Sequence, residues 1–216
     1  MHRFTRMRIR KSTGWIVTLV AAICCGTASA QVATWITTNA SGTNFNDSLN
    51  WTGTATYGTT GTFTFVGGTS AAMPVLTTQS TTIGRLTTTG TPAGTITLAT
   101  SSTDNVLTVG NGFNWSTGGS VGLTINAKIS VLGSGTFATG GANLTLGQSI
   151  SGGSTADTLA FDSNSRYGGS DVIVSSTNSF SAVPFLRRNN IVLNAAVGNA
   201  GQNGALGTSG TIRAGI

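Results

Sequence analysis

The sequence predicts an all-β protein wound as a parallel β-helix, a solenoid, and three observations carry that prediction. Short runs of apolar and β-branched residues alternate with Gly, Asn, Ser or Asp clusters along the chain. No window holds apolar residues at i, i+3, i+4 and i+7 between helix caps, so helix should be scarce. One phrase recurs with uneven spacing: Leu107-Thr108-Val109-Gly110 leads to Gly118-Gly119, Leu144-Thr145-Leu146-Gly147 to Gly152-Gly153, and Leu159-Ala160-Phe161-Asp162 to Gly168-Gly169. Such imperfect repetition suits coils that bury their inward residues only by stacking on one another.

In chain order, residues 1–30 read as a cleaved signal peptide. Arg3, Arg6, Arg8, Arg10 and Lys11 make a basic start, residues 15–23 an apolar run, and Ala28-Ser29-Ala30 a small-residue cleavage site before Gln31. The run falls short of the roughly 20 residues a spanning helix needs. After cleavage no transmembrane segment is expected, and the protein is expected to be secreted or held at the cell surface. Cys24 and Cys25 lack a lipobox and leave with the leader.

Residues 31–94 read as an N-terminal cap with the first β-coils, because Trp35, Phe45 and Trp51 crowd the place where the open end of a solenoid must be covered. Residues 95–216 read as solenoid repeats. The predicted strands are 62–66, 95–99, 106–109, 121–132, 143–146, 158–161, 171–174, 191–194 and 211–214. Residues 204–216 read as one more uncapped coil, stopping in mid-repeat at Arg213-Ala214-Gly215-Ile216, so a longer gene product and end-to-end self-association are expected.

A β-sandwich is the rival architecture, since many short strands with turn signals also suit it. It would have to tolerate a Gly pair after nearly every strand. A membrane barrel is disfavoured: its strands run about 9 to 11 residues between aromatic girdles, whereas these runs are short and the chain is 7% aromatic without girdle periodicity. Disorder is disfavoured as well. Charged residues are only 7% of the chain and 38% are hydrophobic, the reverse of the disordered balance.

Composition excludes most catalytic chemistry. From Gln31 onward there is no histidine, cysteine or glutamate, so a Ser-His-Asp triad and the usual Cys/His zinc sites are impossible. Without the leader, Arg85, Lys128, Arg166, Arg187, Arg188 and Arg213 face Asp47, Asp104, Asp157, Asp162 and Asp171, a net charge of +1 against +6 for the whole chain. That lacks the basic footprint of nucleic-acid binding. Arg187-Arg188, after Phe185-Leu186, reads as a solvated turn.

Three weak sites remain. Asp157 and Asp162 flank a predicted strand at an odd spacing, which puts them on opposite faces and makes a poor acid–base pair. Gly152-Gly153-Ser154-Thr155-Ala156-Asp157 nearly matches a calcium nonapeptide, but Thr155 replaces the third glycine and no tandem copy completes the 6 to 8 oxygen ligands calcium takes, so no metal is expected at Asp157. Trp115, in Gly112-Phe113-Asn114-Trp115, reads as a loop residue and the candidate surface contact for a sugar ring. The N-x-S/T sequons at Asn39, Asn46, Asn50, Asn114 and Asn143 are what chance supplies in a Ser/Thr-rich chain.

Some phrases carry a family likeness. Gly133-Ser134-Gly135-Thr136-Phe137, Asn143-Leu144-Thr145-Leu146 and Ser151-Gly152-Gly153 together resemble the G-x-G-T-h-x-h-x-G-x-N-x-h-x-G-x cadence, h being apolar, of autotransporter-associated β-strand repeat proteins. Residues 203–212 resemble the G-x-L-G-x-G-T-h phrase of that family, and Trp35 with Asn50-Trp51-Thr52 is similar to its W…NW opening. The resemblance implies a right-handed parallel β-helix exported as a passenger or stalk. Neither the translocator barrel nor the C-terminal sorting helix of the family's layout is read in these 216 residues, in keeping with the expected longer gene product.

The expected function is therefore a structural or adhesive role outside the cell, without catalysis or cofactor, and with extracellular or cell-surface polysaccharide as the expected partner. A carbohydrate-binding or polysaccharide-acting β-helix is the alternative.

Overall fold

The computed structural model describes residues 32–35, 44–53, 57–67, 74–77, 79–90, 94–118, 120–163, 170–188, 190–199 and 201–215. Residues 1–30, expected to be a signal peptide and holding both cysteines, lie outside the described residues, as do Asn39, Arg166 and the Gly168-Gly169 pair.

The chain climbs in coils that lay strands on three sheets. It opens with β1 (Val32–Trp35), a 3-10 turn over Ser48–Asn50 and β2 (Trp51–Thr52). Four three-strand coils follow: β3 (Thr62–Gly67), β4 (Pro74–Thr77) and β5 (Thr81–Ile83); β6 (Arg85–Gly90), β7 (Gly94–Thr100) and β8 (Val106–Val109); β9 (Phe113–Ser116), β10 (Val121–Asn126) and β11 (Lys128–Val131); β12 (Gly135–Thr139), β13 (Leu144–Leu146) and β14 (Ile150–Gly152). Then come β15 (Thr158–Ser163) with β16 (Val172–Val174), β17 (Val183–Arg187) with β18 (Ile191–Leu193), and β19 (Arg213–Gly215).

Sheet A runs β19-β17-β15-β12-β9-β6-β3-β1-β2, sheet B β18-β16-β13-β10-β7-β4, and sheet C β14-β11-β8-β5. Apart from the antiparallel pair of β1 and β2, the strands pair in parallel. The fold is a right-handed parallel β-helix. A sandwich, built from antiparallel sheets, is excluded.

Most predicted strands lie within a residue or two of observed ones. One does not: the run 121–132 is two strands on different sheets, β10 and β11, because the chain turns a corner at buried Ala127.

Register stacks like on like. On sheet B, Ile96, Leu123, Leu144, Val172 and Ile191 form one inward column, and Leu98, Ile125, Leu146, Val174 and Leu193 the next. Leu107, Ile129 and Ile150 do the same on sheet C. Those that are fully buried each stabilise the stack by about 2 kcal/mol, while Ile191 and Leu193 at the end of sheet B are only partly buried. Under sheet A the column is aromatic: Phe113 and Phe137 lie 5.0 Å apart, Phe137 and Phe161 5.7 Å, Phe161 and Phe180 6.2 Å.

The N-terminal end is closed by aromatic packing. Trp51 meets Trp35, Phe45 and Phe63 edge-on at 5.0, 5.1 and 4.9 Å. Its indole N–H donates to the Phe45 carbonyl at 2.9 Å, as the Tyr57 hydroxyl does at 2.7 Å. The expected aromatic cap is therefore present.

Where sheet A gives way to sheet B, the inward column becomes polar: Thr88, Thr117, Thr139 and Ser163 are all buried. The hydroxyls of Thr88, Thr117 and Ser163 answer backbone groups at the turns, and Thr139 accepts from the Ser170 hydroxyl at 3.1 Å. Thr88 Oγ1 donates to the Val121 carbonyl at 2.8 Å and accepts from Gly118 N–H at 3.0 Å.

Candidate functional site

Trp115 does not lie in a loop. It occupies β9 with its side chain fully buried, 5.5 Å from Phe137 and 6.0 Å from Phe113. The surface-contact expectation is corrected: Phe113 and Trp115 alternate with Asn114, so period-2 geometry turns both rings inward.

Asp157 lies in the turn before β15. One carboxylate oxygen accepts from Ser154 N–H at 2.8 Å and from its hydroxyl at 2.7 Å, while the other accepts from the Ser134 hydroxyl at 3.3 Å. These donors favour the charged form, with the Ser154 hydroxyl foremost, and hold its carboxyl below the usual aspartate range. Asp157 thus ties one coil's turn to the preceding coil. Among the described residues no group of three or more acidic or His/Cys side chains could hold a metal ion.

Asp162 is within β15, not beside it. It points outward but is only 8% exposed, and it faces Arg187 Nη1 at 3.8 Å and Arg188 Nε at 3.5 Å. Arg187 and Arg188 are both exposed, as the expected solvated turn has it, and Arg188 bends away after β17; the cross-coil register adds that Arg187 ends β17 directly over Asp162. Asp171 stands at the entry to β16, where its backbone N–H donates to Asn143 Oδ1 at 2.8 Å. Asp157, Asp162 and Asp171 therefore serve a turn, an outer sheet face and a strand entry.

Sequence reasoning missed what lies outside sheet A. Ala160, Phe185 and Arg213 are consecutive partners on the outer face, with Thr136 and Asn114 preceding them. Phe185 is half-buried, and the Arg187 guanidinium carbon lies 5.5 Å from its ring centre. Around them runs an open groove of about 400 Å³. The available signal was parity: counting outward from buried Leu159 and Phe161 makes Ala160, Asp162, Phe185 and Arg187 one surface.

A second groove, of about 250 Å³, lies at the corner between sheets B and C, lined by Thr100, Ser102, Asn126, Lys128 and Gln148. Among the described residues, no helix is long and apolar enough to cross a membrane. Comparison of the chain with protein-family models, with curated proteins and with solved structures finds no match.

Proposed function

We propose that the chain is an exported structural element, a secreted or cell-surface β-solenoid that spaces or adheres and does not catalyse, like the autotransporter-associated β-strand repeat passengers its sequence resembles. One observation supports this reading above others: most large apolar side chains lie inside, in continuous columns through successive coils, while the outer faces are mostly Thr, Ser and Asn. Such a molecule gains length by adding coils without redesigning a core. The basic leader with its Ala28-Ser29-Ala30 site supports export. Polysaccharide outside the cell is the proposed partner of the adhesive role.

Expression of the precursor in a Gram-negative host tests the reading. The product is expected to begin at Gln31, to be recovered outside the cytoplasm and to leave polysaccharides uncut. A retained leader on intact-mass analysis overturns the export. Cleavage of a polysaccharide that Asp157→Asn, Asp162→Asn or Asp171→Asn abolishes, with circular dichroism unchanged, overturns the noncatalytic role.

A further inference from the structure

The groove outside sheet A has a floor, walls and a charge. Its floor is Ala160, whose methyl is the smallest outward side chain between Thr136 and Phe185 in the adjacent coils. Thr136, Thr158 and Asn114 offer hydroxyl and amide groups along one side. On the other stands the outward ring of Phe185, with Arg187 over it. Arg213 projects on the same side in the next strand, and Arg188 reaches back to Asp162. Arg187 and Arg188 meet one carboxylate, and Arg213 adds a third guanidinium to the same face, which leaves an excess of positive charge there in a chain that is near neutral without residues 1–30.

We propose that this groove binds an anionic glycan, a chain of carboxylated or sulfated sugars laid across the coils. Sugar rings present apolar C–H faces and a dense rim of hydroxyls, which a half-exposed phenylalanine beside Thr and Asn side chains complements. Arginine is the side chain best matched to carboxylate and sulfate oxygens, through paired N–H donors. Asp162 contributes by pre-organising: it holds Arg187 and Arg188 from below, so less side-chain freedom is lost on binding. Strands about 4.8 Å apart provide a regular track for a polymer. Nucleic acid fits less well, because single strands need several stacking platforms, and of the two rings lining this groove Phe113 is buried in the core and only Phe185 faces outward. The proposal names the partner of the adhesive role above, and the structural role stands without it.

Titration calorimetry of the full exported chain at low ionic strength tests it, with polygalacturonate, dextran sulfate, uncharged dextran and single-stranded DNA as probes. Polygalacturonate or dextran sulfate is expected to bind, and which of them binds tells carboxylate from sulfate; dextran is expected not to. Arg213→Gln should weaken binding about fivefold, the effect of one basic side chain beside an anionic surface. Phe185→Leu should give a loss of the same order, and Lys128→Gln, at the far corner, none. Circular dichroism checks that each variant is folded. Absence of binding, equal binding of dextran and dextran sulfate, tighter binding of DNA than of either glycan, or an equal loss in Lys128→Gln overturns the proposal. None of these outcomes bears on cleavage or export, the tests of the structural reading.

Discussion

Thr117 and Gly140 lock successive coils together: Gly140 N–H donates to Thr117 Oγ1 at 3.1 Å, and that hydroxyl donates to the Ala142 carbonyl at 2.5 Å. The glycine is required by space. A Cβ there would lie 2.0 Å from the Thr117 carbonyl oxygen. Thr88 and Gly118 repeat the arrangement one coil earlier, where a Cβ on Gly118 would lie 2.4 Å from the Thr88 carbonyl oxygen.

Gly140→Ala is accordingly expected to destabilise the protein by about 2 kcal/mol, because the obstacle is backbone and cannot rotate away. Thr117→Val keeps the shape but strands Gly140 N–H and the Ala142 carbonyl, at a similar cost of about 2 kcal/mol. Urea unfolding followed by circular dichroism measures both. Stabilities indistinguishable from the parent would show that this corner does not hold the coils.

Asn178 replaces a strand with a side chain. It is fully buried where sheet C lapses after β14; its Oδ1 accepts from Ile150 N–H at 2.7 Å and its Nδ2 donates to the carbonyls of Ser176 at 3.1 Å and Ala205 at 2.7 Å. Asn178→Leu has comparable volume and leaves all three backbone groups unpaired, a cost of about 3 kcal/mol. Hydrogen exchange at the Ile150 amide should accelerate in the variant, and unchanged protection there would contradict the assignment.

Tyr57 gives the cap an alkaline limit. Burial pushes its phenol up to about 12 from the ordinary 10.0, with the Asp47 carboxylate adding to the rise. Because the folded value is the higher one, this contribution to stability is complete below pH 10.0 and is lost as pH rises through about 12. Thermal unfolding across that interval should fall more steeply for the parent than for Tyr57→Phe. Parallel curves would place the titrating group elsewhere.

β18 is an edge strand of sheet B, with Ile191 and Leu193 only partly buried and Val192 37% exposed, whereas on sheet A the first coil is flanked by β2 and the aromatic cluster. An open parallel edge recruits further strands. Sedimentation should show association that grows with concentration and is suppressed by Val192→Lys. A monomer at every concentration would mean that the edge is not adhesive.

The fold was legible because β-helix chemistry is local: short strands, turn residues and a cluster of N-terminal aromatics are all visible in one dimension. Sheet membership was not. The recurring Leu107, Leu144 and Leu159 phrases fall on sheets C, B and A respectively, so they repeat a local strand-and-turn preference and not a position in the coil. Corner lengths vary, as the pairs Thr87 with Ser116 and Phe113 with Gly135 show, and that variation hides the true period. The locking threonines were masked by abundance. Their signature, Thr117-Gly118-Gly119 and Thr139-Gly140-Gly141, is one coil apart in a chain where Thr and Gly are everywhere. The sheet A groove was hidden because Asp162 and Arg187 meet only through cross-coil register.

That cross-coil pairing has a mechanical consequence. Peptide bonds run around the circumference, while the hydrogen bonds of all three sheets run along the axis. Stretched lengthwise, the molecule is loaded on its weakest links, shared among three parallel seams; squeezed or sheared across its width, it resists with covalent hoops around a close-packed filling. Its stiffness is therefore anisotropic, and its yield under tension is set coil by coil, at whichever junction has the fewest rungs.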